Sequence, residues 1–254
     1  MISCRLYGRL GNQAFQIATC IGTAMSMGVK CIIPKETINP SVWPAYFSDL
    51  FEDKTNELQG KKLQIWKEPT HAYTKIPHWQ PQIVYDGLLL DGFFQSIKYF
   101  KKYIPQIRGI FKMPTEVKWG TVAVHYRAGD FRNFPDKHPI VSWDYLVSSM
   151  LQFEINGYKN FLVFSDEPDA VKNMFKGCFE GLTIEYSEGK TPMEDFKLMS
   201  SCEHGIVSNS SFSIMAQILN SNPNKTIIRP NYFFGPGNSH LDTRDVYPEN
   251  WIVL

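Results

Sequence analysis

The sequence predicts an α/β protein built on parallel sheets of the doubly wound type. Short apolar runs of strand length alternate with segments of helical periodicity along most of the 254 residues. The chain also opens with a strand–helix–strand unit, which is typical of a parallel sheet. With 43% hydrophobic residues it can bury a large core, and its length fits one large domain or two of about 100 to 150 residues.

The first half begins with this β-α-β unit and then becomes irregular. The strand, helix and strand of the unit are predicted at residues 2–6, 13–27 and 29–33. Gly28 is the expected helix stop. Several prolines interrupt residues 35–85, so short helices and loops are expected there. A further strand and an amphipathic segment are predicted at residues 88–94 and 96–111.

The second half is more regular. Its strands are predicted at residues 121–126, 160–164, 183–186, 205–208 and 226–229. Its helices are predicted at residues 142–156, 167–174, 192–201 and 211–219. The first of these helices should turn Val147, Met150 and Leu151 inward. A connector at residues 112–120 places the boundary between two predicted domains, 1–116 and 117–254.

Composition excludes several classes of protein. The charges nearly balance, with 26 Lys and Arg against 25 Asp and Glu, which argues against a general nucleic-acid binder. Five cysteines without a CxxC pair argue against a disulfide framework or a zinc site. No signal-peptide pattern and no apolar run of spanning length are visible, so we expect a cytoplasmic protein without a transmembrane segment. Peripheral membrane contact stays open.

The strongest candidate site is VAVHYRAGDF at residues 122–131. A short apolar strand runs directly into His125, Arg127 and Asp130. Open α/β sheets place their ligands at the carboxyl ends of the strands, so these side chains are candidates for binding. The alternative is a strand end with a surface ion pair.

The loop GRLGNQ at residues 8–13 is a second candidate. Gly8 and Gly11 allow a tight turn and close approach of a ligand, while Asn12 and Gln13 bring amide groups to a helix N-terminus. The pattern is not GxGxxG, so it does not fit a dinucleotide fingerprint. The alternative is a plain turn with a helix cap.

Two further polar stretches follow predicted strands. In FSDE, Ser165 or Asp166 could line the same crevice as His125, but helix capping is the stronger interpretation of Asp166. Before the last helix, Ser210, Ser211 and Phe212 combine hydroxyl groups with free backbone N–H groups and so suit a phosphate. A serine N-cap is the alternative there.

Other phosphate and metal motifs are missing from the sequence. There is no GxxxxGK[ST] loop, no HExxH and no Asp-x-Asp beside a strand, so a metal is not expected. No GxSxG elbow occurs, which disfavours a serine hydrolase. If phosphates are bound, Arg127 and helix dipoles must neutralise them.

Taken together, five motifs resemble a known family. In chain order they are GRLGNQAFQIA at 8–18, LLLDGFFQSIKYF at 88–100, VAVHYRAGDF at 122–131, FLVFSDEPDAVK at 161–172 and EDFKLMSSCEHGIVSNSSFSIMAQILN at 194–220. They resemble the α-1,2-fucosyltransferases of glycosyltransferase family 11, in the short bacterial or viral form. The resemblance spans most of the chain.

The resemblance implies a GT-B-type fold, in which two Rossmann-like domains face each other across a cleft. Residues 1–116 would then be the acceptor-side domain and residues 117–254 the GDP-fucose-binding domain. It also implies metal-independent, inverting transfer of L-fucose from GDP-β-L-fucose to the 2-hydroxyl of a galactose-terminated glycan, in glycan or surface polysaccharide synthesis. No cofactor is expected.

Site residues carry over by position in the matching motifs. The first arginine of the family's HxRRGD pattern falls on Arg127, which would hold the β-phosphate, and the second is replaced by Ala128. The predicted substrate-binding residues are Asn12 near the fucose, Gln13 in the same loop, His125 at the guanine or ribose, Ser165, Asp195 at the guanine, and Ser210, Ser211 and Phe212 at the phosphates. Asp130 is the candidate base, with an arginine-paired structural acid as its alternative.

Three alternatives remain open at the level of sequence. Ala128 allows a carbohydrate- or nucleotide-binding module without catalysis. A transferase for another GDP-sugar, such as mannose, is the second alternative. The aromatic segment from Trp43 to Trp79 could be an acceptor surface, because sugars stack on aromatic faces, or an ordinary core.

Overall fold

The structure of the protein is a computed structural model that describes residues 1–77 and 84–254. Trp79, the end of the predicted aromatic segment, lies outside the described residues. The chain divides into two compact units. The N-terminal unit comprises residues 1–113 and 242–246, and the C-terminal unit comprises residues 114–241 and 247–254. The acceptor and donor roles assigned to the two predicted domains stay predictions.

The N-terminal unit contains a four-stranded parallel sheet. Its elements are β1 (Ile2–Cys4), α1 (Leu10–Met27), β2 (Cys31–Ile32), β3 (Leu63–Lys67), β4 (Gly87–Asp91) and α2 (Ile104–Ile110), and the strand order is β2-β1-β4-β3. Helix α1 ends where the sequence predicts, because Gly28 adopts a left-handed conformation with φ of 64° and donates its N–H to the last turn.

Strand β3 was not predicted. Leu63–Lys67 pairs in parallel with β4, from Leu63 opposite Gly87 to Lys67 opposite Asp91. The strand lies at the edge of the sheet and is largely exposed. Its stability therefore comes from pairing with a strand distant in sequence, which a local pattern does not reveal.

The predicted aromatic segment contributes to the core of the N-terminal unit at some positions and to its surface at others. Phe47 is buried and packs on Phe111, with ring centroids 4.7 Å apart. Trp66 stacks on Phe94, whereas Tyr73 is exposed beside Tyr99. An acceptor surface built on this segment stays a prediction, and Phe47 belongs to the core.

The C-terminal unit contains a six-stranded parallel sheet with the order β10-β9-β8-β5-β6-β7. Its elements are β5 (Lys118–Tyr126), α3 (Trp143–Ile155), β6 (Asn160–Ser165), α4 (Pro168–Phe175), β7 (Thr183–Tyr186), α5 (Pro192–Ser201), β8 (Cys202–Ile206), α6 (Ser211–Ile218), β9 (Ile227–Arg229) and β10 (Ile252–Val253). The alternating parallel pattern confirms the predicted α/β class. Strand β8 starts earlier than predicted, and β10 was not predicted.

One predicted core position of α3 is wrong. Met150 is fully buried and Val147 half-buried, but Leu151 is 44% exposed. The buried face of α3 runs through Tyr145, Leu146, Ser149, Met150 and Phe153. Leu151 lies beside this face, because consecutive residues are about 100° apart around a helix.

The sequence also raised expectations about the cysteines and about membrane-spanning helices. All five cysteines are free, and three of them are buried. Among the helices of residues 1–77 and 84–254, none has the length and apolar character that crossing a membrane requires.

Candidate functional site

The carboxyl end of β5 lies between the ends of two neighbouring strands. Val124 is opposite Ile206 of β8, and Tyr126 is opposite Ser165 of β6. The chain segments that leave these three strands therefore emerge side by side. This is the edge at which parallel α/β sheets bind their ligands.

Arg127 leaves β5 with its guanidinium group held by two carboxylates. Its terminal nitrogens lie 2.6 Å from Asp130 Oδ1 and 3.2 Å from Asp166 Oδ2. The group also lies over the ring of Phe131, 5.6 Å from its centroid. The Arg127 side chain keeps 15% of its surface exposed, so part of it is accessible to a ligand.

The capping role that the sequence favours for Asp166 is wrong. Helix α4 begins after Glu167 without a side-chain cap. Asp166 instead accepts a hydrogen bond of 3.0 Å from the backbone N–H of Ala128 and pairs with Arg127. The hydroxyl of Ser165 forms the local turn by accepting from the N–H of Glu167 at 3.0 Å. Asp166 thus connects the β6 loop to the β5 loop.

His125 is buried beneath this edge. Its Nδ1 forms a hydrogen bond of 2.7 Å with the hydroxyl of Ser208, and its ring stacks on Phe212 with centroids 5.5 Å apart. Burial, together with the charge of Arg127, lowers the pKa of His125 to about 3. The imidazole is therefore neutral at physiological pH.

The loop between β8 and α6 is fixed by its own polar groups. Ser210 is the N-cap of α6 and accepts from the N–H of Phe212 at 3.4 Å. Ser211 is the first residue of that helix and is half-buried. Asn209 donates to the carbonyls of Pro139 and Phe233 at 2.9 and 3.1 Å. The capping alternative thus accounts for Ser210. The N-terminus of α6 lies beside the stacked rings of His125 and Phe212.

Asp195 belongs to the same neighbourhood through helix α5. The helix starts with a capping box between Thr191 and Glu194, and Asp195 accepts a hydrogen bond from the hydroxyl of Ser187. Burial raises the pKa of Asp195. The next residue, Phe196, packs edge-on against Phe212 with centroids 5.5 Å apart. Ring contacts therefore link His125 and Phe212 to Phe196, the residue next to Asp195 on α5.

Gln13 of the N-terminal unit has a structural role. It is fully buried, and its amide nitrogen donates to the carbonyls of Gly8 and Pro44 at 2.8 and 2.9 Å. Its amide oxygen accepts from the N–H of Tyr46 at 3.1 Å. A residue without exposed surface does not touch a substrate, so the predicted binding role of Gln13 is corrected to that of a loop anchor.

Asn12 is half-buried in the first turn of α1. Its side-chain oxygen accepts from the amide of Gln95 at 2.8 Å. Gly8 has a φ of 67°, and a Cβ there would lie 2.4 Å from the side-chain nitrogen of Asn12. The loop thus needs glycine at this position both for its conformation and for space.

Sequence reasoning missed a polar cluster at the end of β1 and β4. Asp91 ends β4 and accepts from Arg5 at 2.8 Å and from the hydroxyl of Tyr7. Both partners follow β1 by a few residues. The rule that identified His125 and Arg127, polar residues after an apolar strand, applies equally to this cluster and could have found it.

Glu68 is a second missed residue of the N-terminal unit. Its carboxylate accepts from the N–H groups of Phe93 and Phe94, both at 2.9 Å, and from the hydroxyl of Tyr99 at 3.1 Å. Burial raises its pKa. Phe94 is buried with a φ of 53°, an uncommon conformation for a bulky residue. Glu68 therefore fixes the loop after β4.

A metal centre is not apparent in the part of the chain that the structure describes. In residues 1–77 and 84–254, no three His, Cys, Asp or Glu side chains are grouped so that they could hold an ion.

The sequence model of glycosyl transferase family 11 matches residues 1–254. The chain is 27% identical to an alpha-1,2-colitosyltransferase of Escherichia coli over 64% of its own length and 61% of that protein. It is 24% identical to galactoside 2-alpha-L-fucosyltransferase Sec1 of Mus musculus over 86% of its length and 64% of that protein. The chain therefore spans less than two thirds of both relatives.

Among solved structures, the heptosyltransferase WaaC of Escherichia coli with ADP is similar to this chain. The TM-score is 0.52 at 12% identity, and the match covers 99% of this chain and 92% of WaaC. At this identity the likeness concerns the fold alone. It confirms the predicted GT-B class.

Proposed function

The chain belongs to glycosyl transferase family 11, and on that basis we propose that it is an inverting galactoside α-1,2-fucosyltransferase. It transfers L-fucose from GDP-β-L-fucose to the 2-hydroxyl of a galactose-terminated acceptor. Relatives that are named as an α-1,2-colitosyltransferase and a galactoside 2-α-L-fucosyltransferase support this proposal.

The single observation that carries the proposal is the setting of Arg127. The partly exposed side chain of Arg127 lies at the carboxyl end of β5, one of the two middle strands of the sheet, and arginine binds phosphate oxygens with two parallel hydrogen bonds. As the bond to fucose breaks, negative charge grows on the GDP leaving group. A fixed cation at that point stabilises the transition state more than the ground state.

The group of residues behind Arg127 suits the nucleoside. The neutral imidazole of His125 is buried, bonded to Ser208 and stacked on Phe212, so it fixes the half-buried ring of Phe212, which can face the nucleoside. Asp195 is a partly buried carboxylate and can accept hydrogen bonds from the N–H groups of guanine. The backbone N–H groups at the start of α6 add donors for the phosphates.

Asp130 is the proposed base for the acceptor hydroxyl. It is the more exposed of the two Arg127 partners, 39% against 22% for Asp166. The Asp130 carboxylate can therefore leave Arg127 and contact a substrate hydroxyl more readily than Asp166 can. Because GDP is an activated leaving group, this proton transfer does not require a strong base.

Ala128 bears on the alternative of a module without catalysis. Its methyl group is fully buried in the apolar core of the C-terminal unit, with Tyr126 and Val141 in the same cluster. A residue at this position does not contact a ligand through its side chain here. Of the two arginine positions in the family pattern, the proposed chemistry therefore uses only Arg127, and Ala128 serves the core.

The donor sugar is the main alternative within catalysis. One relative is named as an α-1,2-colitosyltransferase, so colitose in place of fucose is the second candidate. A GDP-sugar such as GDP-mannose is a third donor to be tested. All share the guanine and diphosphate groups that the Arg127 site would bind.

The test is transfer from GDP-fucose to a panel of β-galactosides, followed by linkage analysis of the product. We expect an α-1,2 linkage and no loss of activity in EDTA, because Arg127 and helix α6 take the place of a metal. Parallel assays with GDP-colitose and GDP-mannose identify the preferred donor. Binding of GDP by calorimetry without turnover of any donor would favour a binding module instead.

A further inference from the structure

Arg127 has two carboxylate partners, and they differ in how they are held. Asp130 lies three residues along the same loop and is 39% exposed. Asp166 comes from the next strand of the sheet, is 22% exposed, and also accepts the backbone N–H of Ala128 at 3.0 Å. The second partner therefore fixes both the side chain of Arg127 and the backbone that follows it.

The local charges make this difference consequential. One cation beside two carboxylates leaves a formal charge of −1, which opposes the binding of a diphosphate. Release of one partner by Arg127 would therefore favour binding. Asp130 is the more exposed of the two, so water already solvates part of its carboxylate and can solvate the rest when the ion pair breaks. Asp130 is therefore the partner that leaves.

Gly129 provides an independent sign that Asp166 must occupy its place. A Cβ on Gly129 would lie 2.3 Å from Asp166 Oδ2, the oxygen that pairs with Arg127. Any side chain at residue 129 would displace this carboxylate. The loop is thus shaped to admit the carboxylate of Asp166.

We infer that Asp166 is a positioning residue, which orients the Arg127 guanidinium toward the donor diphosphate while Asp130 exchanges for it. This inference rests on the proposed function. Asp166 does not touch the substrate; it acts through Arg127. Holding a catalytic group in one orientation matters, since a displacement of about 1 Å can cost on the order of 10²-fold in rate.

Three variants disturb the contact between Asp166 and Arg127 in different ways. Asp166→Asn keeps an oxygen that can accept from Ala128 N–H, but it places an amide donor against the guanidinium. Asp166→Ala loses both contacts. Gly129→Ala displaces the carboxylate without removing it. We expect all three to lower kcat/KM for GDP-fucose on the order of 10²-fold, with most of the loss in kcat.

Glu167→Gln is the matched control. Glu167 joins the same two loops through Arg132, with contacts of 2.6 and 3.1 Å, but it is not part of the Arg127 site. We expect the control to keep wild-type kcat and KM. If it loses as much activity as Asp166→Asn, general loosening of the loops is the cause and the inference is wrong.

The decisive measurement is a double-mutant cycle on kcat with GDP-fucose, obtained on folded protein. Asp166→Asn should lower kcat in the wild-type background and have no further effect in Arg127→Ala, because Asp166 acts through Arg127. An equal effect in both backgrounds overturns the inference. So does wild-type behaviour of Asp166→Asn beside an impaired Asp166→Ala, which would mean that only the backbone contact matters.

The proposed function can fail separately. If the wild-type protein neither binds GDP nor turns over a GDP-sugar, the proposed function is wrong and the inference fails with it. If the wild type is active and Asp166→Asn matches it in kcat and GDP affinity, only the inference is overturned.

Discussion

The segment after β1, which includes the first turn of α1, and the loop after β5 both leave the carboxyl end of a parallel strand, but they use their polar side chains differently. Gln13 is fully buried and makes three hydrogen bonds to backbone groups. Arg127 is partly exposed and is paired with two carboxylates. The first arrangement serves the fold, and the second leaves a charge that can change partners.

The physical difference is the cost of exchanging partners. Releasing Gln13 leaves buried backbone groups without a hydrogen bond, which costs about 1 to 3 kcal/mol for each group. Releasing an exposed carboxylate from Arg127 costs about 1 kcal/mol or less, because water solvates the freed charge. A ligand can therefore compete for Arg127 but not for Gln13.

Arg127→Ala tests the catalytic side of this comparison and should have the largest effect. We expect kcat for GDP-fucose to fall on the order of 10³-fold, since a fixed donor at the leaving group is lost. The free energy of unfolding should fall by about 1 to 3 kcal/mol, because Arg127 is largely buried and its loss leaves two carboxylates without their cation. Steady-state kinetics and urea denaturation measure the two quantities. Transfer at the wild-type rate would remove Arg127 from the mechanism.

Asp130→Asn examines the exchangeable partner. If Asp130 is the base, kcat should fall on the order of 10²-fold while GDP affinity is kept or increased, because a competing carboxylate is neutralised. Kinetics at saturating donor and calorimetry with GDP give the two values. Full activity in a folded variant would discard Asp130 as the base.

Gln13→Ala probes the structural side. We expect a loss of about 2 to 4 kcal/mol in the free energy of unfolding, because the carbonyls of Gly8 and Pro44 and the N–H of Tyr46 lose their partner. Activity per folded molecule should be unchanged. Gln59→Ala, at an exposed position, is the control. A stable variant with impaired catalysis would return Gln13 to the site.

The smallest of these expected effects is a change in the pH dependence of stability in His125→Gln. An unfolded histidine binds a proton near pH 6.5, whereas burial lowers the pKa of His125 to about 3 in the fold. Its contribution to stability is thus present above about pH 6.5 and is lost as the pH falls toward 3. The variant should lack up to about 1.4 kcal/mol per pH unit of this slope.

The matched control for this measurement is His240→Gln, because His240 is exposed. Urea denaturation between pH 5 and 7 compares the three proteins at about 25 °C. Identical slopes for wild type and His125→Gln would show that the imidazole of His125 is not held neutral by burial.

Much of the fold follows from local patterns. In the C-terminal unit, apart from β10 and the start of β8, strands and helices lie where apolar runs and helical periodicity place them. The position of Arg127 at a strand end is also local information. The five motifs add the family, since their order along the chain carries more information than any one of them.

Other features could not be predicted because they depend on which strands become neighbours. Strand β3 exists through its pairing with β4, and Leu151 is exposed because α3 packs through another face. Asp166 reaches Ala128 across 38 residues of sequence, because β6 lies next to β5. Each of these depends on contacts between distant segments.

By itself, the sequence determined the α/β class, the family resemblance and the arginine at the end of β5, since all three are written in short stretches of chain. Only the tertiary structure decided which polar residues serve the fold and which face a ligand. Gln13 and Asp166 show the reason, because packing between distant segments sets their hydrogen-bond partners and their burial. A polar residue after a strand can therefore cap a helix, anchor a loop or position an arginine, and the local sequence does not distinguish these roles.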